Sequence, residues 1–157
     1  MTWEKGRDDV EDLLSREHLE RVPAHPAEAE YLIERARRHL ATASREADDD
    51  PEIAYDALYA AARKALTAVL RQQGLRPTRA GGHEVVVQVA EAQLVPPLGP
   101  VLRPYRRLRR QRAQGDYLAS EGAIHPDDVR ADLPLATAIV EAAATVAPQM
   151  PVFVARQ

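Results

Sequence analysis

The residues of this chain best suited to chemistry are arginines. Six of the ten residues from 103 to 112 are arginine, at 103, 106, 107, 109, 110 and 112, and the run leads into Gly115, Asp116 and Tyr117. On a helix they cannot all leave from one face. Arg103, Arg106, Arg107 and Arg110 share a side, whereas Leu102, Tyr105, Leu108 and Arg112 share the opposite, more apolar side. Arg112 is therefore expected at the foot of a buried stripe, within a turn or so of Tyr117. An arginine held against packed apolar surface keeps its charge and presents a rigid fork of donors, which suits it to gripping a phosphate. The same composition also describes a solvated face whose arginines pair with acids.

Other chemistry is thinly represented. The five histidines, at 18, 25, 39, 83 and 125, include no two spaced three or four apart on a helix, so no local metal site is expected. Gly81-Gly82 stands alone, without the further glycines of a dinucleotide loop, and no P-loop pattern occurs. Gly-Gly-His83 reads as a turn and a helix start; its functional version would set His83 near a phosphate. No Ser, His and Asp constellation is evident.

The elements that must position these residues are helical. Apolar residues make up 45% of the 157, but only 4% are aromatic, so the core has to be built from Ala, Leu and Val. That favours closely packed helices, since alanine forms helix well and is depleted in strands. Residues 1–25 read as a lead-in helix, with Val10, Leu13, Leu14 and Leu19 apolar, ending between Pro23 and Pro26. A long amphipathic helix follows from Pro26 to about Ala47. Pro51 to Gln73 is the clearest element and the expected centre, with Asp50 as N-cap and Gly74 as stop. Leu75 to His83 reads as a loop, Glu84 to Leu94 as a helix and Val95 to Pro100 as a break. The arginine helix then begins near Val101 or Pro104 and ends at Gly115. After a loop, Asp127 and Asp128 can cap a last helix, which Pro134 must either start or bend. The expected organisation is a lead-in helix (1–25), a bundle (26–148) and a loose tail (149–157).

The net charge of −3 hides an asymmetry. Residues 1–50 carry fourteen acids against eight bases, whereas residues 101–112 carry six arginines and no acid. A polyanion would be drawn to that patch, unless the acidic half covers it. Without cysteine there is no disulfide framework and no thiolate metal site. No apolar run is long enough for a membrane span, and the charged N-terminus is unlike a signal peptide, so a cytoplasmic protein off the membrane is expected.

The blocks Asp50-Pro-Glu-Ile-Ala-Tyr-Asp-Ala-Leu-Tyr-Ala-Ala-Ala-Arg-Lys-Ala-Leu, Gln73-Gly-Leu-Arg, Gly82-His83 and Leu108-Arg-Arg-Gln-Arg, ending in Tyr117, resemble the HEPN superfamily over roughly residues 20 to 146. The likeness is to an actinobacterial-type branch with an N-terminal lead-in helix. It implies an all-α, up-and-down bundle of four to five helices that forms a homodimer, with the two motifs facing across a cleft. Many members are metal-independent endoribonucleases, often toxins of toxin–antitoxin or phage-defence systems, partnered by a nucleotidyltransferase antitoxin. Their motif is an Arg followed, four to six residues on, by His. Carried over, the Arg is Arg112 and the His position is Tyr117, with Arg110 giving a longer spacing to the same tyrosine. Arg109, Arg110, Asp116 and His83 complete the set expected to meet RNA or its phosphates. No metal and no cofactor is implied.

Two departures qualify the match. A phenol, with an ordinary pKa near ~10, is a poor base at neutral pH, although it can position a substrate. Ala113 stands directly after Arg112, where this branch normally shows Asn, so an impaired copy is one expectation. The leading reading is thus a ribonuclease. The alternative is a non-catalytic module binding RNA, a nucleotide or a nucleotidyltransferase partner. A third is a scaffold whose arginines pair with the acidic N-terminal half.

Overall fold

The structure is a computed structural model that describes residues 3–117 and 123–156, leaving the side chains of residues 115–117 outside the description. In chain order the elements are α1 (Arg7–Ser15), β1 (Leu19–Arg21), α2 (Pro26–Glu46), α3 (Pro51–Gln73), β2 (Leu75–Pro77), α4 (Gly82–Leu94), α5 (Gly99–Leu102), α6 (Tyr105–Tyr117) and α7 (Pro126–Val146), followed by a single 3-10 turn.

The bundle is organised around α3. Asp50 accepts the Ile53 amide at 3.2 Å and Pro51 opens the helix, while Gly74 closes it at φ 76°, a conformation that a side chain would strain. A Cβ on Gly74 would also lie 2.6 Å from the Val22 carbonyl oxygen. Ala54, Ala61, Ala62, Ala65 and Ala68 are fully buried, as are Ala36 and Ala43 of α2, so these two helices approach closely through small residues. Helices α4, α6 and α7 pack against α3 as well. Val85, Val86, Val87 and Val89 are all buried in α4, which resolves a strand-like run as a core helix. The all-α bundle required by composition is what forms.

Several local expectations are revised. Residues 19–21 are not the end of a lead-in helix, and residues 75–77 are not loop. They pair as a small antiparallel ladder, Leu19 opposite Pro77, which buries Leu19 and Leu75 beside the end of α3. Gly115 does not stop α6, which continues to Tyr117. Pro134 does not start α7, which leaves the bend of the two expectations: the helix starts at Pro126, where the Asp128 carboxylate accepts the His125 amide at 2.8 Å, and carries Pro134 inside it. The tail past Pro148 is docked rather than loose. Met150 and Phe153 are buried, the Phe153 amide donates to the Gln73 carbonyl at 2.9 Å, and the Arg7 guanidinium lies 5.6 Å from the Phe153 ring centre.

One polar contact ties the ends of α3 and α4. Gln73 and Gln93 are buried and exchange side-chain amide hydrogen bonds of 2.7 and 2.9 Å, so that neither amide is left unmet in the core.

Candidate functional site

The end of α5 and the start of α6 turn Leu102, Tyr105 and Leu108 inward, all buried, as the spacing predicted. Its arginines then fan out to three neighbours. On one flank Arg107 donates to both oxygens of Asp132 in α7, at 3.0 and 2.7 Å, and the buried Tyr55 hydroxyl donates to Asp132 at 2.7 Å. Burial opposes ionisation of Asp132, but the hydrogen bonds from Arg107 and Tyr55 outweigh it and hold the carboxyl below its usual range. On the other flank Arg106 and Arg109 share Glu84 of α4, at 2.7 and 3.1 Å, and Arg106 also reaches Glu91. Farther along, the Arg112 Nε donates to Asp56 of α3 at 3.1 Å.

Arg112 is thus on the α3-facing side, as its spacing required, but it is not pressed into apolar surface. Its side chain is 41% exposed and Asp56 is 42% exposed, so the pair stands at the rim. Among the described residues, Asp56, Glu84, Glu91 and Asp132 meet these arginines. Among the described residues none of these acids comes from the first fifty, so within the chain that segment does not cover the patch. Among the described residues, Arg103 and Arg110 meet no carboxylate. Arg110 is exposed and, with Glu84, Arg106, Arg109 and Ala113, lines a depression of about 210 Å³.

His83 completes the face. It sits in the first turn of α4, with its Nδ1 a long 3.4 Å from the Tyr59 hydroxyl. Partial burial, then the positive charges of Arg63, Arg109 and Arg112, hold its imidazole below the ordinary range, leaving the ring neutral at pH 7. Beneath it, Tyr105 packs on Tyr59 with ring centres 5.8 Å apart. Burial raises the Tyr105 phenol far above its usual pKa, so it stays protonated.

The structure therefore gathers Arg109, Arg112 and His83, three of the residues singled out by sequence, and sets Arg110 on the adjoining surface. The side chains of Asp116 and Tyr117 lie outside the described residues. Sequence reading gave no role to Asp56, Tyr59 and Arg63. They are spaced three and four apart on α3, a polar stripe on a helix otherwise rich in alanine and leucine, and that stripe was the signal available. Chemically, the face offers several forked cations and one neutral imidazole with a lone pair. Among the described residues no three His, Asp or Glu side chains are grouped to hold a metal ion.

A family model described as HEPN domain matches residues 29–146, a span that holds all of α3, α4 and α6. No curated protein and no solved structure matches the chain.

Proposed function

The chain belongs to the HEPN family, and on that premise we propose that it acts on RNA, binding a single strand across the α3–α4–α6 face and cleaving it without a metal. The observation that carries this reading is one face on which Arg109 pairs with Glu84, the neighbour of His83, Arg112 stands at the rim on Asp56, and Arg63 shares a depression with His83. Cleavage needs a base and a cation. His83 takes the proton of a 2′-hydroxyl, whose oxygen attacks the neighbouring phosphorus. The bond to the 5′-oxygen breaks and that oxygen recovers a proton, leaving a cyclic phosphate and a 5′-hydroxyl. Arg112 stabilises the charge that builds on the phosphate oxygens. DNA lacks the attacking hydroxyl and is bound without being cut. In this reading the protein is a homodimeric toxin held in check by a nucleotidyltransferase antitoxin.

Asp56 and Glu84 favour a second reading, a binding module without catalysis. Both carboxylates sit on the arginines a phosphate would use, and Ala113 offers no amide beside Arg112. Half-exposed ion pairs are worth only about 0–1 kcal/mol, so a phosphate can displace them. That exchange suits binding as well as it suits catalysis.

The deciding experiment is RNA cleavage in EDTA by the protein as it stands and by Ala113→Asn, Arg112→Ala and His83→Gln variants. Cutting by the first two, lost by about a hundredfold or more in the last two, is the expected result for a base and a charge stabiliser. Intact RNA in every reaction, with binding that still depends on Arg112, would leave the binding module as the function.

A further inference from the structure

Beside the arginine face, where β2 turns into α4, lies a depression of about 370 Å³ walled by Arg63, Thr67, Thr78, Arg79, Gly82 and His83, together with Pro77 and Val86. Its charge is of one sign. No carboxylate lines it, whereas the depression over Arg110 contains Glu84 and another near α1 contains Asp9, Asp12 and Glu91. Among the described residues neither Arg63 nor Arg79 has an acidic partner, although Arg106, Arg107, Arg109 and Arg112 on the neighbouring face all do. Two guanidinium groups around one concavity repel each other until an anion enters.

The pocket is also built before any ligand arrives. Thr78 donates its hydroxyl to the Glu17 carbonyl at 2.6 Å and its amide to the His18 carbonyl at 3.0 Å, and its hydroxyl accepts the Gly81 amide at 3.2 Å. A Cβ on Gly81 would lie 2.0 Å from the His18 carbonyl oxygen, so only glycine lets the turn close this tightly. Arg79 is therefore carried on a fastened turn. Thr67 spends its hydroxyl on the Arg63 carbonyl at 2.8 Å, which leaves recognition to the two arginines and His83. Gly82, at φ 60° and with open space where a Cβ would point, lets a ligand approach the backbone.

We propose that this pocket is a phosphate subsite in which Arg63 and Arg79 grip the phosphoryl oxygens and His83 contributes a ring nitrogen. Forked donors from two directions suit a tetrahedral, multiply charged group better than a flat carboxylate. His83 belongs to both this pocket and the arginine face, so on an RNA strand the pocket takes the phosphate next to the one at Arg112. The source of the phosphate rests on the RNA reading; the charge of the pocket does not.

The test follows the His83 ring signal by NMR in the full chain during titration with inorganic phosphate. Arg63→Gln/Arg79→Gln and, as a surface control, Arg103→Gln are run beside it, all checked for unchanged melting. Phosphate should move the His83 signal and raise its apparent pKa, since a bound anion favours the imidazolium. The double variant should weaken binding about a hundredfold, at roughly tenfold per charge-assisted contact, and Arg103→Gln should leave it unchanged. In a second arm, binding of a short RNA and of a nucleoside monophosphate is measured against salt. If RNA is the source, the double variant removes one phosphate contact and lowers the RNA salt slope by about 0.7. Phosphate and the nucleotide binding in the pocket while RNA binds to no variant would keep the subsite and discard the RNA reading. An unmoved His83 signal, together with RNA affinity that depends on Arg112 but not on Arg63 and Arg79, would overturn the subsite and leave the RNA reading standing.

Discussion

Arg107 and Arg112 lie on the same helix and each faces one aspartate, yet the two pairs are built for different purposes. Asp132 is 8% exposed, takes both arms of the Arg107 fork and receives the Tyr55 hydroxyl as well, so three helices meet in one carboxylate. Asp56 is 42% exposed and receives Arg112 through Nε at the rim. A charge buried among donors cannot be exchanged without leaving unmet groups in the core. One at the rim is screened by water and can trade its partner. Arginine density alone does not mark a binding site; the burial of the opposing acid separates an arginine pinned into the fold from one able to trade its partner.

The comparison can be broken at several points. Asp132→Ala should destabilise most, by about 3 kcal/mol, because it strands Tyr55 and removes a buried acceptor, with some relief from the exposed arm of Arg107. For a chain of this size that is a fall in Tm of roughly 6–12 °C by calorimetry. A loss of RNA affinity without a loss of stability would erase the distinction.

Arg107→Gln should cost about 1–2 kcal/mol at neutral pH, and the cost should shrink in acid. The Asp132 carboxyl is held below its usual range when folded, so its stabilisation is complete above the unfolded pKa near ~4 and is lost as pH falls through the folded value. Denaturant titrations of wild type and variant should therefore converge below about pH 4. A constant gap down to the acid limit would mean that Arg107 acts through packing.

Arg112→Gln should do the reverse of Asp132→Ala, leaving stability within about 0.5 kcal/mol while weakening RNA about tenfold. Asp56→Asn should give the smallest effect and the opposite sign. Removing the competing carboxylate should tighten RNA by roughly two- to fivefold at low salt, and weaker binding would show that Asp56 orients Arg112 productively.

Much of this was legible beforehand because it is periodic. The Asp50 and Gly74 ends of α3 follow from residue type, and the inward row of Leu102, Tyr105 and Leu108 follows from spacing alone. What escaped depends on partners distant in sequence. Leu19–Arg21 carries too few residues to show a strand period and becomes one only because Leu75–Pro77 lies alongside. Phe153 looks like a stray apolar residue in a tail until the Gln73 carbonyl at the end of α3 is available to hold its amide. At the site, the arginine run advertised itself, and Gly-Gly-His83 was noticed as a turn. Arg63 was hidden inside a helix marked by its two ends, and Arg79 within a loop. Which arginines would be pinned and which left to grip was decided by Asp132, Glu84 and Asp56, whose depths no linear pattern encodes.

The family match begins at residue 29, yet the turn that carries Arg79 is fastened by carbonyls of Glu17 and His18. A fragment trimmed to the matched span would keep Arg63, Arg79 and the arginines of α6 and lose the clamp beneath Arg79. Such a fragment could fold, bind RNA feebly and pass for a degenerate relative. The clamp lies past the border of the family match, so a substitution in the short segment before α2 can reshape the pocket without touching a residue inside it.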